Sequence, residues 1–145
     1  MKEPADFRDV VASLNGCDVE FVIVGAFALA YHAKPRATGD IDIWVRPSPE
    51  NATKLLSALA DFGFSSVGLT QSDILSGKVI QLGYPPVRID LLTDLDGVSA
   101  DEVWSERVLG KFADQPAHYM SKRCLILNKK AVGRPQDLAD LDALQ

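Results

Sequence analysis

Two aspartates separated by one residue open an alternating segment, Asp40-Ile41-Asp42-Ile43-Trp44-Val45. Alternation of polar and apolar residues predicts a β-strand with one buried face. Because successive side chains of a strand point to opposite faces, Asp40 and Asp42 share one face, about 7 Å apart. Two such carboxylates repel each other unless a cation lies between them, and Mg²⁺ prefers carboxylate and phosphate oxygens. The pair therefore predicts a divalent-metal site.

The segment before this pair predicts a strand, a glycine turn and a short helix. Phe21-Val22-Ile23-Val24 is a short, β-branched, apolar run typical of a buried strand. Gly25 interrupts it, and an apolar stretch from Ala26 to Tyr31 follows. Backbone N–H groups at a helix start favour anions, so Gly25 is a candidate phosphate-binding residue. A strand-to-helix turn without a ligand is the alternative for a single glycine.

Asp90 is the candidate third carboxylate. It lies inside the predicted strand Val87–Leu92, between two apolar neighbours, where an unpaired charge would be costly. An ion pair with Arg88, two residues earlier on the same strand face, is the alternative. Because Asp90 would join Asp40 and Asp42, we favour the metal-site interpretation for it.

This order of strand, glycine turn, short helix and Asp-x-Asp strand resembles the DNA polymerase β-like nucleotidyltransferase superfamily. The resemblance implies that the glycine turn holds a nucleoside triphosphate and that Asp40, Asp42 and Asp90 hold Mg²⁺ or Mn²⁺. It further implies that Asp90 acts as the general base on the attacking hydroxyl. Taken as far as the segment 129–141, the chain looks most like small bacterial proteins near the abortive-infection type IV toxin (AbiEii-like) branch.

The chain departs from that family at the residue after the glycine. The usual Gly-Ser or Gly-Gly pair is Gly25-Ala26 here, so a serine hydroxyl for the phosphate is missing while the backbone donor is retained. Thr38, shortly before the aspartates, is a candidate replacement. Lys34 and Arg36 on the same connection are candidates for contacting triphosphate, with a solvated loop as the alternative.

A second basic group occurs near the C-terminus, where Lys129, Lys130 and Arg134 precede Asp137 and Asp140. The toxin-like resemblance implies that one of the lysines contacts the nucleotide phosphates. The alternative is a set of ion pairs between these cations and the two aspartates, which share a helix face. The sequence does not separate the two interpretations.

Composition indicates one globular domain over residues 1–145. The chain has 145 residues, 47% hydrophobic and 24% charged, which suits a single core. The net charge of −5 argues against a broad basic surface for nucleic acid. Cys17 and Cys124 are far apart and lack metal-ligand spacing, so we expect reduced thiols. Neither a membrane span nor a signal peptide is recognisable, and we expect a cytoplasmic protein.

The predicted fold is a single α/β (α+β) domain of the nucleotidyltransferase type, a small mixed β-sheet with flanking helices. Helix-start and helix-stop signals are clear, with N-caps at Ser48, Thr70 and Ser99 and stops at Gly63 and Gly133. Predicted helices span 5–14, 26–31, 49–62, 70–76, 99–107, 121–131 and 135–144; predicted strands span 21–24, 40–45, 79–83, 87–92, 108–112 and 117–120.

The function these features favour is metal-dependent transfer of a nucleoside monophosphate from a nucleoside triphosphate to a hydroxyl of RNA (such as a tRNA end), protein or a small molecule. A toxin–antitoxin system, with a cognate toxin or antitoxin as partner, is the expected context. An Asp-x-Asp phosphatase is disfavoured, because its aspartates follow an apolar strand, whereas Asp40 begins one. The remaining alternative is a nucleotide-binding or partner-binding module of the same fold, weakened in catalysis by Ala26.

Overall fold

A computed structural model describes residues 5–33, 35, 39–63, 68–84 and 87–145 of the chain. Lys34, Arg36 and Thr38, three of the candidate phosphate-contacting residues, lie outside these ranges. The helices are α1 Ala5–Gly16, α2 Gly25–His32, α3 Pro49–Phe62, α4 Gln71–Leu75, α5 Ala100–Ser105, α6 Lys122–Val132 and α7 Pro135–Leu144. The strands are β1 Phe21–Val24, β2 Asp40–Val45, β3 Ile80–Tyr84, β4 Val87–Leu92, β5 Val108–Phe112 and β6 Gln115–Tyr119.

The helix boundaries follow the capping signals in the sequence. The Ser48 hydroxyl accepts a hydrogen bond from the backbone N–H of Asn51, and Pro49 is the first residue of α3. Thr70 and Ser99 cap α4 and α5 through capping boxes. Left-handed Gly63 and Gly133 end α3 and α6, with φ angles of 110° and 68°. Each cap that the sequence predicts is confirmed.

The six strands form one mixed sheet in the order β3-β4-β2-β1-β6-β5. β2 is antiparallel to β1 and parallel to β4, while β1 is parallel to β6. The short strands β3 and β5 pair antiparallel with β4 and β6 and form the two edges. The predicted mixed sheet with flanking helices is confirmed.

One face of the central strands is apolar and fully buried. Ile41 and Ile43 of β2 lie beside Ile89 and Leu91 of β4, and each is at most 2% exposed. Burying a side chain of this size contributes about 1.5–3 kcal/mol. Edge-to-face ring contacts extend the core from α1 to the sheet edge, Phe7 to Phe27 at 5.8 Å and Phe27 to Phe112 at 5.2 Å. This apolar layer fixes which way the alternate residues of β2 and β4 point.

The alternate residues of β2 and β4 carry the polar groups. Asp40, Asp42, Arg88 and Asp90 share the second face of the sheet. That face is covered further along β2, where Trp44 is 1% exposed and its indole N–H donates to the backbone oxygen of Thr93.

Two further expectations from the sequence concern the cysteines and membrane-spanning segments. Cys17 and Cys124 are free thiols. None of the helices in the described part of the chain has the length and apolar character that crossing a membrane requires.

Candidate active site

The register of two parallel strands brings three aspartates and one arginine together. Asp42 of β2 lies directly beside Asp90 of β4, and Asp40 lies beside Arg88. Neighbouring strands are about 4.8 Å apart, so side chains at paired positions on one face are within contact distance. Asp40, Asp42 and Asp90 therefore lie on one face of the sheet, and their role as metal ligands stays a prediction.

Arg88 links two of the three carboxylates. One of its Nη atoms donates to Oδ2 of Asp40 at 2.8 Å, and its Nε lies 3.5 Å from Oδ1 of Asp90. The second contact is an ion pair without hydrogen-bond geometry, and among the described residues neither Nε nor this Oδ1 has a hydrogen-bond partner. Within the described part of the chain, Arg88 is therefore a cation in direct contact with two of the three carboxylates.

The bond from Arg88 to Asp40 was not anticipated from sequence, which suggested Arg88 only as a partner of Asp90. The two residues are 48 positions apart, and the pairing of β2 with β4 is what joins them. A signal was present in the matching patterns, Asp-x-Asp on one strand and Arg-x-Asp on the next. Aligning them in parallel puts opposite charges beside each other at the first position.

The crowded carboxylates change the acidity of Asp42. Burial, followed by the negative charges of Asp90 and Asp40 and a hydrogen bond to Asp90, raises the pKa of Asp42 to about 6. The positive charge of Arg88 opposes this rise. Burial also raises the pKa of Asp90, again against the effect of Arg88. Asp42 and Asp90 thus form a coupled pair that holds a proton more readily than an exposed aspartate does.

Gly25 adjoins Asp42 closely. Val24, the last residue of β1, pairs with Asp42, and Gly25 then begins α2 with a φ of +66°. A Cβ built on Gly25 would lie 2.1 Å from Oδ2 of Asp42, a distance that no side chain tolerates. Any other residue at position 25 would force the Asp42 side chain to move and would also adopt a strained positive φ. The phosphate-binding role of Gly25 and Ala26 stays a prediction.

Lys129 lies in a buried ionic cluster between α6 and α7. Its Nζ is 2.9 Å from Oδ2 of Asp140 and 3.4 Å from Oδ1 of Asp137. The side chains of Lys129, Asp140 and Asp137 are 7%, 8% and 3% exposed, respectively. The sequence left open whether Lys129 contacts a nucleotide phosphate or forms ion pairs with the two aspartates. The observed geometry is that of the ion pairs. Lys130 is exposed on the same helix, and a phosphate contact by either lysine stays a prediction.

Arg134 continues the same cluster to the surface. Its Nε donates to Oδ2 of Asp137 at 2.8 Å, and an Nη donates to Oδ1 at 3.4 Å. Its side chain is 70% exposed. Asp137 raises the pKa of Arg134, and smaller contributions come from the charges of Asp140 and Asp42. The guanidinium therefore lies within electrostatic reach of Asp42 on β2.

Comparison of the whole fold with solved structures gives a consistent result. The antibiotic-resistance factor ANT(2'')-Ia superposes with a TM-score of 0.60 at 13% identity, covering 96% of this chain and 80% of its own. Its complex with adenylyl-2''-tobramycin gives a TM-score of 0.59 at 15% identity, covering 95% of this chain and 84% of the other. Lincomycin-bound lincosamide antibiotic adenylyltransferase LnuA gives 0.59 at 13% identity, covering 98% and 96%. The chain has the nucleotidyltransferase fold.

Two comparisons of the amino-acid sequence itself find no match for this nucleotidyltransferase-fold chain. No family model matches it, and no curated protein matches it in sequence. The similarity therefore lies in the arrangement of helices and strands. Membership of the toxin-like branch stays a prediction.

The acidic face of this nucleotidyltransferase fold supplies donors suited to a hard divalent cation. Carboxylate oxygens are the ligands that Mg²⁺ prefers, and the buried Oδ1 of Asp90 has no hydrogen-bond partner among the described residues. The described residues contain no group of three or more His, Cys, Asp or Glu side chains already arranged as a metal site. Arg88 instead bonds to Asp40. The carboxylate oxygens fit a Mg²⁺ ion. For Asp40 to bind that ion, its carboxylate must either release Arg88 or bind Arg88 and the ion together.

Proposed function

We propose that this protein is a metal-dependent nucleotidyltransferase, which transfers a nucleoside monophosphate from a nucleoside triphosphate to an acceptor hydroxyl. The observation that carries the proposal is the register that sets Asp42 beside Asp90 on one sheet face, two residues from Asp40. The similarity of fold to ANT(2'')-Ia and LnuA supports the same class of reaction.

The proposed reaction is an in-line displacement at the α-phosphorus. The acceptor oxygen forms a bond to that phosphorus, and the bond from phosphorus to the oxygen bridging to the β-phosphate breaks, which releases pyrophosphate. The acceptor hydroxyl gives up its proton to the carboxylate of Asp90. Asp90 is suited to this role by its place, because it is buried and lies beside Asp42 on the sheet face that carries the candidate metal ligands.

Asp40, Asp42 and Asp90 are the residues that would hold Mg²⁺ or Mn²⁺. When bound there, the ion supplies positive charge for the phosphate oxygens and the leaving pyrophosphate. The chain's own contribution is to keep the carboxylates on one rigid face. The buried layer of Ile41, Ile43, Ile89 and Leu91 beneath them prevents the strands from shifting register.

The fold comparison favours a small molecule as acceptor. One of the similar structures is a complex with adenylyl-2''-tobramycin, and another is bound to lincomycin. The net charge of −5 also disfavours a large polyanion such as RNA. RNA and protein acceptors, a cognate toxin or antitoxin, and a cytoplasmic location stay predictions from the sequence.

The test is a transfer assay with each of the four nucleoside triphosphates, labelled at the α-phosphate, in the presence of MgCl₂. Tobramycin, lincomycin, bulk tRNA and a cell-protein extract serve as acceptors. We expect label on at least one acceptor with the wild type, and none with Asp42→Asn or Asp90→Asn. Nucleotide binding without transfer to any acceptor would instead favour the binding module, consistent with the missing hydroxyl at Ala26.

A further inference from the structure

The residue before α7 offers a cation that the proposed reaction has not yet used. We propose that Arg134 binds the phosphate chain of the nucleotide, and that Asp137, supported by Lys129 and Asp140, holds its guanidinium in position. This inference rests on the proposed function, because it assigns one further residue to the same site.

The first argument is that the lysine of this cluster is fully engaged. Lys129 is 7% exposed and contacts two carboxylates, at 2.9 Å and 3.4 Å. Moving its ammonium group to an external phosphate would leave Asp137 and Asp140 buried with less positive charge nearby, which would be strongly unfavourable. Lys129 is thereby suited to a supporting role, and the exposed cation of the cluster is Arg134.

The second argument is the geometry of the guanidinium. Asp137 accepts hydrogen bonds from the backbone N–H, the Nε and one Nη of Arg134. An arginine side chain has five N–H donors, and Asp137 uses two of them. A planar guanidinium held along one edge can bind a second anion with its other edge, in the two-point manner that suits phosphate. Its 70% exposure makes that edge accessible.

The third argument is position. α7 packs against α2, and α2 begins at Gly25, which adjoins the carboxylate of Asp42. The charge of Asp42 also contributes, as the smallest of several causes, to the raised pKa of Arg134, which agrees with this packing. On this proposal, a phosphate chain held at the Asp42 carboxylate extends toward Arg134.

The experiment measures equilibrium binding of ATP, CTP, GTP and UTP, each with MgCl₂, and then of the monophosphate of whichever binds most tightly. We expect Arg134→Ala to weaken triphosphate binding about tenfold or more, and monophosphate binding less than about threefold. Arg134→Lys retains the charge without the two-point contact, so its affinity for the triphosphate should lie between those of the wild type and Arg134→Ala. Lys122→Ala, which removes an exposed cation from the first turn of α6, is the matched control and should bind as the wild type does.

The positioning role of Asp137 is tested with Asp137→Asn, alone and combined with Arg134→Ala. We expect the single variant to weaken triphosphate binding severalfold, and the double variant to bind no more weakly than Arg134→Ala alone. If Asp137→Asn weakens triphosphate binding by the same factor in the wild type and in Arg134→Ala, Asp137 acts on the fold rather than through Arg134. Thermal unfolding of every variant establishes that the proteins compared are folded.

The outcomes separate the two proposals. A wild type that binds none of the four triphosphates overturns the proposed function and this inference with it. A wild type that binds a triphosphate, together with an Arg134→Ala variant that binds it equally well, overturns only the role of Arg134. Equal weakening of triphosphate and monophosphate binding would also contradict a contact with the phosphate chain.

Discussion

A Cβ on Gly25 would lie 2.1 Å from Oδ2 of Asp42, so the end of β1 and the central carboxylate of the candidate site occupy adjoining space. Gly25 also has a φ of +66°, where an L side chain adds roughly 1–2 kcal/mol of strain. The glycine thus couples the turn that precedes α2 to the position of Asp42.

Gly25→Ala should displace Asp42 and abolish nucleotidyl transfer. The matched control is Gly68→Ala, because Gly68 has a similar φ of +76° and no atom of the described residues lies within 4 Å of an added Cβ. Both variants should lose roughly 1–2 kcal/mol in the free energy of unfolding from backbone strain, and Gly25→Ala should lose more. The measurements are urea unfolding and the transfer assay. Full activity in Gly25→Ala would show that the carboxylate can move aside without consequence.

The raised pKa of Asp42 predicts an unusual pH dependence of stability. The pKa of Asp42 is about 6 in the folded protein, against an ordinary aspartate value of 3.8, which we take for the unfolded chain. Between these two values Asp42 binds more protons when folded than when unfolded. Its contribution to the free energy of unfolding therefore decreases as pH rises from about 4 to 6, by up to about 3 kcal/mol. The buried carboxylate destabilises the metal-free fold at neutral pH.

Asp42→Asn should remove this penalty. Relative to the wild type in a metal chelator, the variant should gain stability progressively between about pH 4 and 6 and keep the gain at pH 7, while transfer is lost. Urea unfolding across this pH range measures the difference. Asp96→Asn, which removes an exposed loop carboxylate, is the matched control for the loss of one negative charge. A stability difference independent of pH would mean that Asp42 is not the titrating group.

Local signals in the sequence were sufficient to predict the order of helices and strands. The contacts between distant residues depend on how those elements pair, which local signals do not specify. Caps such as Ser48 and stops such as Gly63 act within a few residues, so their positions can be read directly. The contact of Arg88 with Asp40 depends on how β2 aligns with β4, which no local pattern specifies. Likewise, the spacing of Lys129 and Asp140 cannot reveal that the packing of α6 on α7 buries both.

Arg88 should stabilise the folded protein mainly when the carboxylates are charged. Arg88→Gln removes the cation bonded to Asp40 and adjacent to Asp90, leaving three acids on one face. We expect a loss of about 1–2 kcal/mol in the free energy of unfolding at pH 7, and a smaller loss at pH 4, where Asp42 is protonated. Arg123→Gln, which removes a 58% exposed side chain and its ion pairs with Glu102 and Glu106, should cost less than about 1 kcal/mol. Equal losses at both pH values would contradict this electrostatic account.

The same variant tests whether arginine and metal compete. Any ligand that binds only the folded state raises its stability in proportion to the logarithm of ligand concentration over Kd. Because Mg²⁺ need not displace a guanidinium in Arg88→Gln, MgCl₂ should raise the Tm of this variant more than that of the wild type. Thermal unfolding over a MgCl₂ series measures both shifts. A larger shift in the wild type would show that Arg88 and the ion do not share Asp40.

Lys129 should matter more for stability than its lysine neighbour does. Lys129→Met keeps the length of the side chain but leaves Asp137 and Asp140 without the ammonium that contacts both. Removing one member of a buried ion pair typically costs about 3–5 kcal/mol, because the remaining charge stays desolvated. Lys130→Met, at an exposed position on the same helix, should change the free energy of unfolding by less than about 0.5 kcal/mol. Urea unfolding of the two variants at pH 7 compares them directly. A loss below about 1 kcal/mol for Lys129→Met would mean that water reaches the cluster and that Lys129 does not hold Asp137 in place for Arg134.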